Sequence, residues 1–318
     1  MNDEPLDTLV LGGGAAGLSG ALTLARSRRS VLVLDAGEPR NAPAAGVHAF
    51  LTRDGLPPAE LVRLGRAEVE SYGGRVRPGT AVAARRGGDL FAVDTADGET
   101  LHARRLLVAT GLVDELPDLP GVRELWGRDV LHCPYCHGWE VRDQPLAVLG
   151  TGPGSLHQVK LFRQLTADLV YLRHHAPEPT TEEAEELAAL GVTVVDEEVT
   201  GLEITDDRLS GVRLTSGRVL PRTALALAPR FVARSAVLED LGVPVADHPW
   251  GGRYVAAEDV TGQTAVPGVW VAGNVSDLSA QVVAAAAAGT FAGARINADL
   301  VVEDTARAVA RHREGAVA

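Results

Sequence analysis

The 318-residue sequence predicts an α/β fold with two Rossmann-like dinucleotide-binding units, and three observations carry that expectation. An apolar run, Leu6–Leu11, ends in Gly12-Gly13-Gly14-Ala15-Ala16-Gly17, and a helical pattern then leads to a second apolar run closing on Asp35. The same order returns from Leu146–Leu149 through Gly150-Thr151-Gly152-Pro153-Gly154-Ser155 to Leu169–Leu172. A chain of this length also exceeds the roughly 250 residues at which single cores stop growing, so two domains are expected.

Taken in order, Gly12 permits the tight turn after the first strand. Gly14 lets backbone approach a pyrophosphate, and Gly17 allows close helix–strand packing. A pyrophosphate placed there meets free N–H groups and the positive end of a helix that runs to about residue 28. Residues 31–34 read as the second buried strand, and Asp35 at its end is in place to accept from ribose hydroxyls. Residues 40–56 lack clean periodicity and contain Pro43, Gly46 and Gly55, so they read as an ordered excursion; 58–72 reads as a helix. Strands at 81–85, 90–94 and 100–108, turned by Gly87-Gly88 and Asp97-Gly98, form a three-stranded insert. It ends in Leu106-Leu107-Val108-Ala109-Thr110-Gly111, a buried strand feeding a small-residue turn that lets the chain pass close to a flat ligand. In the second unit a helix is expected over 155–165, and strands at 201–204, 209–214 and 223–228 complete that half. Near the C-terminus, Gly268-Val269-Trp270-Val271-Ala272-Gly273-Asn274 is a strand running into a turn. A helix over 278–302 then carries Gln281 and small residues that permit close packing.

The two cysteines of the chain stand in His132-Cys133-Pro134-Tyr135-Cys136-His137-Gly138. C-x-x-C spacing permits a disulfide within one backbone segment and commonly brings a thiol pKa toward neutrality. Three other uses compete. C-x-x-C-H is the c-type haem attachment pattern, but no other haem-protein feature accompanies it. Zinc needs two more ligands. His132 and His137, each adjacent to a cysteine, are poorly placed to close one tetrahedron, so no metal is expected. Two inert buried thiols are the plain alternative. A redox-active dithiol is favoured.

With 46% hydrophobic residues the chain reads as soluble and globular, and a net charge of −12 argues against nucleic acid or anionic membrane as partner. Met1-Asn2-Asp3-Glu4 is acidic where a secretory leader is basic, and no apolar run approaches the ~20 residues of a membrane span. A cytoplasmic location is expected, where structural disulfides are rare and catalytic ones occur. Lys160 as the lone lysine reads as compositional bias rather than a binding feature.

The ordered set of Gly12-x-Gly14-x-x-Gly17, Ala109-Thr110-Gly111, Cys133-x-x-Cys136, the second Gly-rich turn, and Gly273-Asn274 followed by Gln281 resembles the low-molecular-weight thioredoxin reductase family of flavoproteins. The resemblance covers nearly the whole chain. It implies two domains of the three-layer ββα sandwich type: an FAD-binding domain of residues 1–115 and 245–318, and an inserted central NAD(P)-binding-like domain of residues 116–244. It also implies a homodimer, with Cys136 against the flavin and Cys133 as the outer thiol that exchanges with substrate. The implied FAD contacts are Gly12, Gly14, Ala15, Ala16, Gly17, Asp35, Ala36, Arg40, Asn41, His48, Ala109, Thr110, Gly111, Gly273, Asn274, Gln281 and Val282.

Three positions depart from the family pattern. His137 stands where its reductases carry an acid, and imidazole can move a proton near neutral pH. Asn274 replaces the usual aspartate and can still bond a ribityl hydroxyl without charge. The arginines that hold the 2′-phosphate of NADPH are replaced by His175, Ala176 and Thr180, none of which offers a permanent charge. Pro153 also removes an N–H from the second Gly-rich turn.

Cys133-Pro134-Tyr135-Cys136-His137-Gly138, with His48-x-Phe50-Leu51 and Asp54-Gly55, is similar instead to the dithiol oxidase branch of the family. That branch forms disulfides in small natural products such as holomycin and gliotoxin and passes electrons through FAD to oxygen. The favoured expectation is therefore a dithiol oxidase. A substrate dithiolate attacks the Cys133–Cys136 disulfide, a mixed disulfide forms at Cys133, and Cys136 hands the electron pair to FAD. His137 or His132 would shuttle protons, His48 is a candidate substrate-side base, and O2 would leave as hydrogen peroxide. A reductase driving a thioredoxin-like protein from NAD(P)H or ferredoxin is the second reading, and a redox-sensing flavoprotein the third. His174-His175 reads as a solvated strand end, and Trp139, Trp250 and Trp270 as packing groups.

Overall fold

The computed structural model describes residues 4–249 and 251–315; Trp250 and the acidic start Met1-Asn2-Asp3 lie outside the described residues. The first unit runs β1 (Leu6–Leu11), α1 (Ala15–Arg26), β2 (Val31–Asp35), α2 (Pro58–Ser71), β3 (Arg75–Pro78), β4 (Ala81–Gly87), β5 (Leu90–Thr95) and β6 (Thr100–Val108). Its sheet is ordered β3-β2-β1-β6-β5-β4, with Val269–Val271 added beside β6. The long β6 serves two ladders. Near its start Ala103 sits opposite Phe91 in an antiparallel pair, and at its end Val108 sits opposite Val271 in a parallel one.

Strands buried on both faces read as unbroken apolar runs, which is why these stood out in the sequence. Their alternation separates two layers of core. Leu9, Leu11, Leu32, Leu34, Leu106 and Val108 face the antiparallel ribbon through Ala84, Phe91 and Val93. Val10, Val31, Val33 and Leu107 face the helices through Leu18, Ala21, Leu24 and Ile296.

The second unit repeats this plan. A parallel sheet is ordered Thr193–Val195, Leu169–Leu172, Leu146–Leu149, Ala224–Leu227 and Val130–Leu131. One face packs on the three-stranded sheet of Val199–Thr205, Arg208–Leu214 and Val219–Leu220, and the other on helices through Val159, Phe162 and Leu187. Leu112–Glu115 leads out of the first unit and Arg230–Ala233 leads back, the two paired antiparallel with Leu112 opposite Ala233. After the return, Val237, Leu238 and Val243 join the core of the first unit. The α/β class, two repeated units and the insertion are as the sequence implied.

The last helix differs from expectation at both ends: it spans Val282–Gly315 rather than 278–302. The Asp277 carboxylate accepts from the N–H and hydroxyl of Ser279, and the Ala280 N–H bonds the Asp277 carbonyl, so this stretch turns before the helix starts. Beyond 302 no glycine or proline intervenes before Gly315, and Arg104 and Arg105 hold Glu303 and Asp304 at the start of the extension, with Asp299 one turn earlier. Small residues let this helix touch α1: a Cβ on Gly289 would fall 1.9 Å from the Ala16 carbonyl oxygen. The contact sets the two helix N-termini side by side.

Two expectations are corrected. His174 is buried rather than solvated, its Nδ1 accepting from the Val199 N–H at 3.1 Å. Trp139 is 66% exposed, with Arg142 stacked on its ring at 4.0 Å, so it is not a packing group; Trp270 is fully buried as expected. Among the described residues no helix is long and apolar enough to cross a membrane.

Candidate active site

A cavity of about 1710 Å³ runs from the first Gly-rich turn to the cysteine pair. That exceeds the ~300–1,000 Å³ of an ordinary small-molecule site and leaves room for a dinucleotide with space beside the dithiol. Except for Gly17, every cofactor-contact residue expected from the sequence lines it, as do His48, His132, Cys133, Cys136 and His137. Gly17 lies beneath, where a Cβ would meet the Gly12 carbonyl oxygen at 1.8 Å, so its role is packing.

The dinucleotide arm fits such a ligand. Gly12 is at φ +103°, and a Cβ there would strike the Ala109 carbonyl oxygen at 2.4 Å. A Cβ on Gly14 would meet no protein atom within 4 Å, so this face is open to the cavity. Gly14 caps α1 with no side-chain bond and no acidic residue follows in the first turn, which leaves N–H groups pointing at an anion site. Asp35 accepts from the Gly13 N–H at 2.9 Å and pairs with Arg66, which fixes its carboxylate at the cavity wall. Arg40 makes a bidentate pair with Asp114, 2.8 Å to each oxygen, and reaches Asn274 Oδ1 at 3.4 Å. The Asn274 amide donates to the carbonyls of Asp277 and Ala280, both at 2.9 Å, so it braces the turn before the last helix. Arg66 and Asp114 are contributors that no local motif announces, because each reaches its partner across the fold.

Cys133 caps the short helix Pro134–His137, and the N–H groups of Cys136 and His137 bond its carbonyl at 3.2 and 3.1 Å. Gly138 is required behind it: a Cβ would lie 2.2 Å from the Pro134 carbonyl oxygen and 2.3 Å from Leu165. Both cysteines are free thiols, partly buried. The hydrogen bond donated by the Cys136 thiol pulls Cys133 down to about 7 against the cost of burial; the N–H groups of Cys136 and Tyr135 and the charge of Arg40 help. The same bond, together with burial, pushes Cys136 far upward. Cys133 is thus the ready nucleophile. Alkylation of the reduced protein by iodoacetamide should occur first at Cys133 and accelerate with rising pH around a midpoint of about 7, as the thiolate forms. A midpoint near 9, the ordinary thiol value here, or first modification at Cys136, contradicts this assignment.

Three histidines surround the pair. His132 Nδ1 bonds the Leu227 carbonyl at 3.1 Å, so that nitrogen carries the proton and Nε2 is left as acceptor. Burial pushes its pKa below the ordinary value. His137 is pushed down by burial as well, with Glu140 opposing and His48 reinforcing, and its Nε2 is buried without a hydrogen-bond partner. His48, from the 40–56 excursion, lies 3.4 Å from Asp54 and 3.5 Å from Glu140. Among the described residues no cluster could hold a metal ion.

The second Gly-rich turn is closed on itself. Ser155 Oγ accepts from the N–H groups of Thr151 at 3.1 Å and Gly152 at 3.3 Å, and Pro153 has no N–H. The positions noted for missing arginines have other work: His175 lies 3.7 Å from Glu198, Ala176 is buried, and Thr180 caps a helix in a reciprocal box with Glu183. Arg173 is engaged with Asp196 at 2.7 Å.

Comparison with known proteins agrees with this geometry. Residues 6–289 match the pyridine nucleotide-disulphide oxidoreductase family. The chain is 37% identical over 168 residues to thioredoxin reductase tcpT of Claviceps purpurea, covering 51% of this chain and 52% of that one. It is 38% identical over 148 residues to thioredoxin reductase sirT of Leptosphaeria maculans, covering 45% of each. The chain spans about half the length of these curated relatives. Among solved structures, that of HlmI superposes with a TM-score of 0.93 at 45% identity, over 100% of this chain and 99% of that one. A thioredoxin reductase from Bacillus anthracis superposes with a TM-score of 0.88 at 30% identity, over 94% and 99%. The chain belongs to the pyridine nucleotide-disulphide oxidoreductase family.

Proposed function

We propose that the protein is an FAD-dependent dithiol oxidase that closes a disulfide in a small dithiol. The observation that carries this reading is the self-closed second turn. The N–H groups of Thr151 and Gly152 are taken by Ser155, Pro153 has none to offer, and Arg173 is engaged by Asp196, so the inserted unit offers less to a nicotinamide dinucleotide than the first turn does. The first turn, by contrast, is open at Gly14.

Electrons then enter from the thiol side. In the oxidised enzyme a substrate thiolate attacks Cys133, the S–S bond breaks, and Cys136 leaves as thiolate. The second substrate thiolate attacks the mixed disulfide, releasing the product disulfide and leaving two reduced cysteines. The electron pair left on Cys136 would go to a bound FAD, which would supply the two-electron chemistry toward O2 with hydrogen peroxide as product. His137, next to Cys136, takes substrate protons; His132 and His48 flank the same space. Gly12, Gly14, Ala15 and Ala16 would hold the pyrophosphate and Asp35 the ribose. Ala109 to Gly111, Gly273, Asn274, Gln281 and Val282 would line the flavin end.

The same proposal includes a homodimer and a cytoplasmic location. It divides the chain into an FAD unit of 1–115 and 245–318 and a central unit of 116–244, with the packing of Val237, Leu238 and Val243 drawing the return into the FAD unit earlier. A thioredoxin reductase working from NAD(P)H or ferredoxin is the competing reading, favoured by the names of the relatives. Purified protein is expected to be yellow, with one noncovalent FAD per chain. Gly14→Val, whose Cβ would meet no protein atom within 4 Å, should fold normally yet hold FAD about tenfold or more weaker. A correctly folded protein that stays colourless after incubation with FAD contradicts the reading.

A further inference from the structure

One helix serves both the second Gly-rich turn and the cysteine pair. It is the helix Ser155–Arg163, whose first residue closes the turn and whose fourth, Gln158, lies against the segment before Cys133. The Gln158 side-chain nitrogen donates to the His132 carbonyl at 2.6 Å. A carbonyl can only accept, so this bond fixes which end of the amide faces it and turns Oε1 away. The 3.5 Å approach of the same nitrogen to His132 Nδ1 adds no bond, because that ring proton is committed to the Leu227 carbonyl at 3.1 Å. Gln158 is 5% exposed, and its Oε1 is buried with no hydrogen-bond partner. A buried amide that satisfies one end and strands the other gains little stability from being polar, since the two effects are of similar size and opposite sign. An apolar side chain of the same length would pack there at no greater cost. The amide therefore needs a reason other than stability.

We propose that Gln158 is a positioning residue for the dithiol: it holds the His132–Cys133 peptide, and through it the Cys133 thiol, in register with Cys136. This role rests on the dithiol chemistry proposed above. The link runs through bonded atoms. The His132 carbonyl and the Cys133 N–H belong to one planar peptide, so a donor on that carbonyl fixes the start of the cysteine segment. Cys133 then leaves at φ −92° and ψ 120°, and its own carbonyl accepts from the N–H groups of Cys136 and His137 at 3.2 and 3.1 Å. The far end of the segment is held by the residues just past the same helix. Gly138 packs so closely on Leu165 that a Cβ would fall 2.3 Å from that side chain. Both thiols lie between these two holds. Gly154, His157, Gln158 and Leu161 also line the cavity, so this helix flank is part of the wall beside the dithiol.

The groups acting on the Cys133 thiol are the Cys136 thiol, which lowers it most, burial, which opposes, then the N–H groups of Cys136 and Tyr135 and the charge of Arg40. The adjacent His132 is pushed down, first by burial. Every lowering contact depends on where Cys133 stands, so loosening its peptide should let the midpoint rise from about 7 toward the ordinary 9. The test compares wild type, Gln158→Met and Gln158→Asn as FAD-loaded proteins. The first variant keeps the side-chain length without a donor; the second keeps the amide but falls one methylene short. Both should melt within about 4 °C of wild type. Iodoacetamide alkylation of Cys133 in the reduced proteins is then followed against pH. We expect the midpoint to rise by about one unit in both variants, as one charge-assisted hydrogen bond is weakened. An unchanged midpoint in a folded variant overturns the positioning role. If Gln158→Met melts too low to assay, Gln158→Asn decides with the same two outcomes; if neither folds, the amide is structural and the role falls. Anaerobic flavin reduction by dithiothreitol should also slow about tenfold or more, and a wild-type rate in both variants counts against the role. A midpoint that rises in a protein whose flavin no dithiol reduces upholds the positioning of Cys133 and overturns the dithiol reading beneath it.

Discussion

Cys136→Ser is expected to cut dithiol-driven flavin reduction by about a thousandfold or more, because the electron pair then has no thiolate from which to leave. Cys133→Ser should also lose turnover but gain a long-wavelength thiolate–flavin charge-transfer band. The reason lies in what raises Cys136: first its hydrogen bond to Cys133, then burial, then the charge of Cys133, with Arg40 opposing. Removing Cys133 deletes two of those causes and leaves Arg40, so Cys136 can ionise. Anaerobic spectra of the two variants check this. Exchanged phenotypes would mean that Cys133 is the inner thiol, and full activity in both would make the pair inert.

What the sequence made legible was set by local rules. Gly12 and Gly14 follow a buried strand and open a helix, and that order has one common physical use, so the first unit could be placed to within a residue or two. The cysteine pair was legible because its spacing alone constrains its chemistry. The three missing arginines were equally plain. Other features depend on contacts far apart in the chain. Asp114 meets Arg40, Glu140 meets His48, and Arg66 meets Asp35 only after folding, and no spacing marks them. Ser155 was visible as a residue, but its bond to the Thr151 and Gly152 N–H groups depends on the exact path of the turn. His174 looked polar and terminal, yet a buried N–H of Val199 drew it inward. The last helix was misplaced because small apolar residues continue its pattern backward into a stretch that Asp277 instead turns.

A second large effect concerns the reductant. A 2′-phosphate would find no free guanidinium, since Arg173 is engaged by Asp196 and His175, Ala176 and Thr180 offer no fixed charge. Each missing charge-assisted hydrogen bond forfeits about 1.5–3 kcal/mol, so two of them weaken NADPH binding by roughly 10²–10⁴-fold. NADH lacks the 2′-phosphate and escapes that argument, but it needs the same pyrophosphate cradle that Ser155 and Pro153 deny.

Anaerobic stopped-flow mixing of the oxidised, FAD-loaded protein with a small dithiol, NADPH or NADH, followed near 450 nm, tests the proposal most directly. The account predicts rapid bleaching by the dithiol, bleaching by either nicotinamide at least about a hundredfold slower at micromolar concentration, and peroxide once air is admitted. Rapid bleaching by NADPH, with the dithiol inert, would contradict it and make the protein a reductase.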